Sequence, residues 1–328
     1  MNTANDLLAE LGFAKPLHVQ GRYSVADLFR KKRCGIYVLH FANEMFYVGQ
    51  AVNVVRRYAQ HCHTHSDIHR ISFKAVSKKN LDSEERSIVR SLENKGFRLR
   101  NIQLVSFSYG NTDFDLVMSP DNQEKWLSDL DYNDLDGQRA VDQHLRELYR
   151  RKYEQLIELP FAESIIEIAR RYVQTSIPAI RRSEISFWNC SCLPYPSKGL
   201  YIRINVGWQT TFDLSLNDGK AYFDWYLTRS LAEQVFGLSL EAANEQTDYV
   251  VTLNDYPGME VIISKSNLIK GGLDQVFLSV EGIDSAYKLL NDPYMLSAVR
   301  LFTLGLVQKS PCPWGKNHCL DLADRLFS

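Results

Sequence analysis

Five residues between positions 37 and 85 have side chains that could act together on a phosphodiester bond. They are Tyr37, Tyr47, Arg57, His61 and Glu85. A tyrosine or histidine can activate water or donate a proton, an arginine can neutralise charge on phosphorus, and a carboxylate oxygen is a suitable ligand for Mg²⁺. Arg57 and His61 are four residues apart, which places them on one face of a helix. These residue types favour metal-assisted hydrolysis of a phosphate ester.

The local sequence predicts a small α+β unit that would position these side chains. Alternating apolar segments at 35–41 and 46–48 predict a hairpin with its turn at 43–44, and a third strand is expected at 71–76. Helices are predicted at 5–12, from Asn53 onward, and at 82–95, where Gly96 would end the last one. Asn53 is a suitable N-cap. We expect a three-stranded antiparallel sheet with flanking helices.

Two triplets in this segment resemble the signature of the GIY-YIG nuclease superfamily. Gly35-Ile36-Tyr37 is followed at a ten-residue offset by Tyr47-Val48-Gly49. Four further residues match the pattern of that superfamily in register: Arg57, His61, Glu85 and Asn101. Each match alone is a weak signal, and alone each residue would be read as a half-buried strand residue or a solvated helix residue. Their joint register makes the resemblance specific, and it covers residues 34–101.

The resemblance implies a Mg²⁺-dependent endonuclease in which Mn²⁺ can substitute. The implied catalytic residues are Tyr37, Tyr47, Arg57, His61 and Glu85, with Glu85 also the metal ligand. The expected substrate contacts are Gly49, Arg56, Asn101, Lys31 and Lys32. Which of Tyr37, Tyr47 and His61 activates the water is left open. Glu84 is adjacent to Glu85, and the helical phase against Ile88 and Val89 favours Glu85 as the ligand.

Charge is divided unevenly along the chain. The formal net charge is −1, yet residues 1–110 contain 17 Lys and Arg against 9 Asp and Glu, and the remaining residues contain 21 against 30. A basic surface on the first part would suit the phosphate backbone of DNA, which is the predicted partner. The same counts also fit two solvated surfaces that merely differ.

The pattern beyond residue 110 predicts two further regions. The expected domains are an N-terminal helix with a basic lead-in (1–33), the nuclease-like domain (34–110), an acidic linker with a helical connector (111–195) and a C-terminal α+β domain (196–328). Long helices are expected at 134–158 and 162–182, and a boundary at 194–197. The C-terminal domain would contain strands at 200–206, 248–253, 259–263 and 275–280 and helices near 221–236 and 284–308. Target selection, homo-oligomerisation, binding of a protein partner, or regulation would be its role.

Two groups of residues could instead bind zinc. His61 and His65 have a spacing that suits a helix-borne site, although His61 already belongs to the nuclease pattern. Cys190, Cys192, Cys312 and Cys319, with His318, could converge as a structural Zn²⁺ site. They lack the usual Cys-x2-Cys spacing, and buried free cysteine is common.

The leading interpretation is a DNA endonuclease. Restriction or anti-phage defence is the favoured setting, and mobile-element homing and repair are the alternatives. The alternative is a catalytically inactive nucleic-acid-binding or regulatory protein that keeps the nuclease fold. Six cysteines without a small-scaffold pattern favour free thiols. There is no apolar run of membrane-spanning length and no secretory signal, so we expect a cytoplasmic protein without a membrane partner.

Overall fold

The structure is a computed structural model that describes residues 4–42, 44–62, 65, 67–100, 112–236, 249–252, 259–265, 268, 270–272 and 275–328. The chain forms two compact units, residues 1–110 and 111–328. Both combine helices with antiparallel sheets, so the predicted α+β class is confirmed. In the described part of the chain, no helix is long and apolar enough to cross a membrane.

The first unit is built around one sheet whose strands have the order β1-β4-β2-β3 in the described residues. Its elements are α1 (Ala4–Glu10), β1 (Leu17–His18), β2 (Gly35–Phe41), β3 (Phe46–Ala51), α2 (Val54–His61), β4 (Ile68–Ala75) and α3 (Leu81–Asn94). The predicted three strands are present, and β1 adds a two-residue fourth strand at the edge beside β4. All neighbours are antiparallel.

Strand β2 is central because both its neighbours bond to it and every one of its residues is buried. Tyr37 and Leu39 project into one core, where they meet Val54 and Tyr58 of α2. Helix α3 buries Ile88, Val89 and Leu92 and packs against β2 and β3. The predicted cap of α2 is confirmed, since the Asn53 side chain accepts the backbone N–H groups of Val55 and Arg56 at 3.1 and 3.3 Å.

The second unit has a seven-stranded antiparallel sheet in the order β5-β6-β7-β8-β11-β10-β9 within the described residues. Its strands are β5 (Trp188–Tyr195), β6 (Leu200–Val206), β7 (Gln209–Asn217), β8 (Lys220–Leu227), β9 (Tyr249–Thr252), β10 (Glu260–Lys265) and β11 (Val276–Glu281). Its helices are α4 (Pro120–Ser128), α5 (Gln143–Ile157), α6 (Ala162–Ser176), α7 (Arg229–Phe236), α8 (Ile283–Asn291), α9 (Pro293–Lys309) and α10 (Leu320–Phe327).

Residues 111–195 are not a separate connector. Ile165 and Tyr172 of α6 belong to one apolar core with Phe212 and Trp225 of the sheet and Phe302 of α9. The predicted boundary at 194–197 is therefore wrong: it falls at the end of β5 and in the turn that leads into β6.

The buried guanidinium of Arg300 joins the helical segments of this unit. It donates hydrogen bonds to the carbonyl oxygens of Trp126, Asp129, Leu130 and Thr175 at 2.6 to 3.0 Å. Burial lowers the pKa of Arg300 to about 10, which still leaves it charged at neutral pH. A buried cation surrounded by carbonyl oxygens in this way is compensated by several charge-assisted hydrogen bonds.

Several predicted helix bounds in this unit are wrong for local reasons. The helix expected at 134–158 begins at Gln143, where the Asp142 side chain accepts the backbone N–H of Leu145 at 2.8 Å. The helix expected at 162–182 ends at Ser176, because a residue that precedes a proline avoids the helical region and Ile177 is extended. The helix expected at 284–308 is two helices, since Pro293 begins a new one capped by Asp292.

The segment at 221–236 was expected to be helical, but its first part is strand β8. Alternate residues Phe223, Trp225 and Leu227 enter the core, which is the period of a strand. Strands β5 and β7 were not predicted at all. In β5 the buried positions include Asn189, Cys190 and Cys192, so its apolar alternation is weak in the sequence.

Candidate active site

The hairpin of β2 and β3 places Tyr37 and Tyr47 side by side. Tyr37 is the register partner of Gly49, and Tyr47 is the partner of Leu39. The two tyrosine rings are stacked, with centroids 6.3 Å apart and planes at 26°. Their hydroxyls are therefore carried by adjacent strands and face the same neighbourhood, as the spacing predicted.

Both triplets require glycine because neighbouring atoms lie too close to leave room for a Cβ. A Cβ on Gly49 would lie 2.4 Å from both Cζ and Oη of Tyr37, and a Cβ on Gly35 would lie 2.0 Å from the carbonyl oxygen of Lys74. Real Cβ atoms do not approach so closely. Gly49, expected to contact the substrate, thus has a packing role: it leaves room for the Tyr37 ring.

His61, at the end of α2, contacts both tyrosines. Its Nε2 lies 2.7 Å from the Tyr37 hydroxyl oxygen, and its ring centroid lies 4.7 Å from that of Tyr47. Burial, then the positive charge of Arg57 and the neighbouring His65, lower the pKa of His61 to about 4. The imidazole is therefore neutral at pH 7 and can accept a proton.

Arg57 lies one helical turn before His61, and its positive charge acts on both tyrosines. Its Nη1 donates to Oε1 of Gln60 at 3.1 Å. Burial, and then Tyr47, raise the pKa of Tyr37 above its usual 10, although Arg57 opposes this rise. Because the Tyr37 hydroxyl keeps its proton and the His61 imidazole is neutral at pH 7, the hydroxyl can donate to the ring nitrogen.

Glu85 enters the site from α3. Its carboxylate accepts a hydrogen bond from Nε2 of Gln50 at 3.0 Å, and its negative charge acts on Tyr37 and Tyr47. Burial raises the pKa of Glu85, while the bonds from Gln50 oppose that rise and the charge of Asp82 adds to it. Glu84 instead forms an ion pair with Lys74 of β4. The helical phase of α3 thus directs Glu85, and not Glu84, to Gln50 and the tyrosines, in agreement with the phase argument from the sequence.

Gln50 is a site residue that the sequence did not reveal. It bonds to Glu85 and also to Asp82, both carried by α3. It directly follows the second triplet, but its partners lie more than thirty residues further along the chain. No local spacing could have indicated that contact.

The other predicted substrate contacts are not assembled with this cluster. Arg56 is exposed on α2, and Lys31 and Lys32 are exposed before β2. In the described part of the chain none of the three forms a hydrogen bond or ion pair with the tyrosines, His61 or Glu85. Asn101 lies outside the described residues.

A single carboxylate ligand is compatible with Mg²⁺, which retains several waters and uses phosphate oxygens. Glu85 fits that role because it is a half-buried oxygen donor beside Arg57 and the tyrosines. Among the described residues no group of three or more His, Cys, Asp or Glu is arranged to hold a metal ion. A metal at Glu85 would therefore depend on waters and substrate for its other ligands.

The residues considered for a structural zinc site form a different arrangement. Nδ1 of His318 accepts the backbone N–H of Cys190 at 3.1 Å, and its Nε2 lies 3.0 Å from Oε1 of Glu184. Both ring nitrogens are thus engaged. Glu184 also pairs with Arg139 at 2.7 Å. The four cysteines are free and buried, and the hydrogen bonds of His318 hold the segment before α10 against β5.

The chain matches no protein-family model, no curated protein and no solved structure. The functional argument therefore depends on the geometry and chemistry of the residues themselves. In the first unit Tyr37, Tyr47 and His61 are in contact, and the charges of Arg57 and Glu85 act on both tyrosine hydroxyls.

Proposed function

We propose that residues 1–110 form a GIY-YIG-type endonuclease that hydrolyses DNA phosphodiester bonds with Mg²⁺. The observation that supports this most is the hydrogen bond between Tyr37 and the neutral His61, with the positive charge of Arg57 acting on both. A proton acceptor, a phosphate-binding cation and a carboxylate are the groups that this reaction needs.

Each side chain has a role that follows from its surroundings. Arg57 is exposed and its positive charge acts on both tyrosines, so it can bind a phosphate and stabilise charge that develops on phosphorus. His61 can receive the proton of the attacking water, directly or through Tyr37. Tyr37 is a weak base by itself, because its raised pKa keeps its proton on oxygen. When bound at Glu85, Mg²⁺ would supply positive charge for the leaving oxygen.

Two further features support DNA as the substrate. Residues 1–110 carry 17 basic against 9 acidic side chains, whereas the rest of the chain is acidic. A phosphate backbone is attracted to such a surface, and this contribution to binding is strongly salt-dependent. We place the activity in restriction or anti-phage defence, because a nuclease unit joined to a larger unit of unfamiliar sequence suits a dedicated cutter whose target is chosen by its second unit.

A cleavage assay on supercoiled plasmid and single-stranded DNA tests this proposal. The wild-type chain should cut with Mg²⁺ or Mn²⁺ and stop in EDTA. Glu85→Ala should lose activity by at least about a hundredfold, since it removes the proposed metal ligand. Glu84→Ala is the matched control, because that carboxylate pairs with Lys74 instead. If wild type cuts no more than Glu85→Ala with any divalent metal, the non-catalytic alternative replaces the enzyme.

A further inference from the structure

A cavity of 330 Å³ opens in the second unit, and none of its lining residues belongs to the proposed nuclease site. It lies between α5, the strands β5, β6 and β7, and the segment that precedes α10. Its volume is within the range of small-molecule sites, about 300–1,000 Å³. Nothing in the proposed nuclease reaction uses this cavity.

Both charged side chains that line the cavity are cations, Lys152 and Arg203. Nζ of Lys152 donates to the carbonyl oxygen of Leu193 at 3.2 Å and has no carboxylate partner in the described chain. Arg203 is held by Asp213 through Nε, at 2.8 Å, and Nη2, and its Nη1 is left without a hydrogen bond to the described residues. Asp213 offsets the charge of Arg203 but leaves its Nη1 as a donor, and no carboxylate of the described residues offsets Lys152. With no acidic residue in the lining, these two donors favour an anionic ligand.

The cavity also has aromatic walls. The Tyr195 side chain is 54% exposed, and its ring centroid lies 5.9 Å from the guanidinium carbon of Arg203. Trp314 lies beside Trp208, with ring centroids 6.4 Å apart. Exposed aromatic faces next to cations stack well on planar heterocyclic rings. A ligand that carries both a ring and an anionic group would satisfy both features.

One end of the cavity carries a polar side chain that is fixed by hydrogen bonds. The Asn205 side chain donates through Nδ2 to Oδ1 of Asn189 at 2.9 Å and accepts from the Thr210 hydroxyl at 2.8 Å. Its Nδ2 carries a second hydrogen, which can be donated to a ligand. A side-chain amide held in place is well suited to the edge of a nucleobase.

We propose that this cavity binds a nucleoside monophosphate. The phosphate would lie at Lys152 and Arg203, and the base would pack against Tyr195 and Trp314, within reach of Asn205. Such a group could arrive as a free nucleotide or as the 5′-phosphorylated end of a DNA strand. The proposal does not depend on the nuclease activity, because it uses none of that site's residues.

Isothermal titration of the full chain in EDTA tests the proposal, with the four nucleoside 5′-monophosphates, the matching nucleosides and inorganic phosphate as ligands. At least one monophosphate should bind, and its nucleoside and free phosphate should bind at least about tenfold more weakly. Lys152→Gln should lower the monophosphate affinity by about tenfold or more, the effect of losing one charge-assisted hydrogen bond. Lys198→Gln, an exposed lysine after β5 that does not line the cavity, should leave the affinity unchanged.

Tyr195→Ala provides a second, independent variant, because this ring is largely exposed and its loss should leave the fold intact. It should weaken monophosphate binding without changing the weak binding of phosphate. Competition by a 5′-phosphorylated oligonucleotide, but not by its unphosphorylated form, would identify a strand end as the ligand, and competition by neither would identify the free nucleotide. The proposal is overturned if no monophosphate binds wild type at millimolar concentration, or if both folded variants bind as wild type does.

Discussion

The Tyr37 hydroxyl oxygen lies 2.7 Å from Nε2 of His61, and the positive charge of Arg57 acts on both residues. The Tyr37 hydroxyl keeps its proton and the His61 imidazole is neutral at pH 7, so the hydroxyl can serve as a relay that donates to the ring nitrogen. Tyr37 is fully buried, whereas Arg57 is exposed. In the proposed reaction, this arrangement would combine a protected proton acceptor with a cation that solvent can reach.

Removal of the Tyr37 hydroxyl should slow cleavage, whereas removal of a buried hydroxyl outside the cluster should mainly lower stability. Tyr37→Phe keeps the ring but deletes the relay, so single-turnover DNA cleavage should slow by about a hundredfold or more. Tyr58→Phe is the matched control, because that buried hydroxyl donates to the carbonyl oxygens of Val19 and Arg22. It should cost about 1 kcal/mol of unfolding free energy and little activity. Equal cleavage rates for the two variants would contradict the assigned role.

Substitutions of the two adjacent arginines on α2 should differ sharply in how much they slow cleavage. Arg57→Ala removes the cation whose charge acts on the tyrosines, and cleavage should fall by about 10²–10³-fold while DNA affinity changes much less. Arg56→Ala removes an exposed charge that has no hydrogen bond to the cluster, and it should act only modestly on salt-dependent binding. Cleavage rates and DNA affinities at two salt concentrations check both. Unfolding of Arg57→Ala, seen by circular dichroism, would show that its placement is wrong.

Acid should destabilise the first unit through two buried histidines. Burial is the main cause that lowers the pKa of both His61 and His40 from 6.5 to about 4. Below pH 6.5 the unfolded chain binds protons that the folded chain does not, so stability falls as pH drops from 6.5 towards 4 and is fully present above 6.5. By pH 5 each histidine should cost roughly 2 kcal/mol.

Urea denaturation followed by circular dichroism at pH 7 and pH 5 measures this loss. His40→Gln should reduce it, because the glutamine cannot titrate, and the variant should lose about 2 kcal/mol less than wild type between the two pH values. His40 hydrogen-bonds to Ser72 and lies outside the proposed catalytic cluster, so its cleavage activity at pH 7 should persist. An identical pH dependence in variant and wild type would refute the expectation.

Gly49→Ala should disable the site by crowding. The added Cβ would lie 2.4 Å from Oη of Tyr37, so the ring must move away from His61. We expect a cost of about 1–3 kcal/mol in unfolding free energy, as for overpacked cores, together with loss of cleavage. In the Tyr37→Phe background part of the clash is removed, so a double-mutant cycle should show that the combined cost is less than additive.

Much of the first unit could be predicted from the sequence because its signals are local. The alternation at 35–41, the Asn53 cap and the apolar stripe of α3 lie within single elements, and all three are confirmed. Spacing alone also indicated that Tyr37 and Tyr47 lie together, because a hairpin fixes the register of its two strands.

The second unit was less predictable because its strands derive their burial from distant partners. Strand β5 alternates weakly, yet it is buried between β6 and the segments that contain His318 and α10. In the sequence, Arg300 has the pattern of an ordinary charged helix residue. In the structure, its guanidinium bonds to four carbonyl groups more than 120 residues away in the chain. Such contacts have no local signature.

The sequence by itself determined the types and the register of the residues proposed to act on a phosphodiester: Tyr37, Tyr47, Arg57, His61 and Glu85. The tertiary structure decided how they meet. It placed the His61 ring nitrogen on the Tyr37 hydroxyl, assigned Glu84 to Lys74 and Glu85 to Gln50, and made Gly49 the space for an aromatic ring. The reason is physical: spacing within a helix or hairpin fixes which residues share a face, whereas proton position, burial and packing depend on elements that only folding brings together.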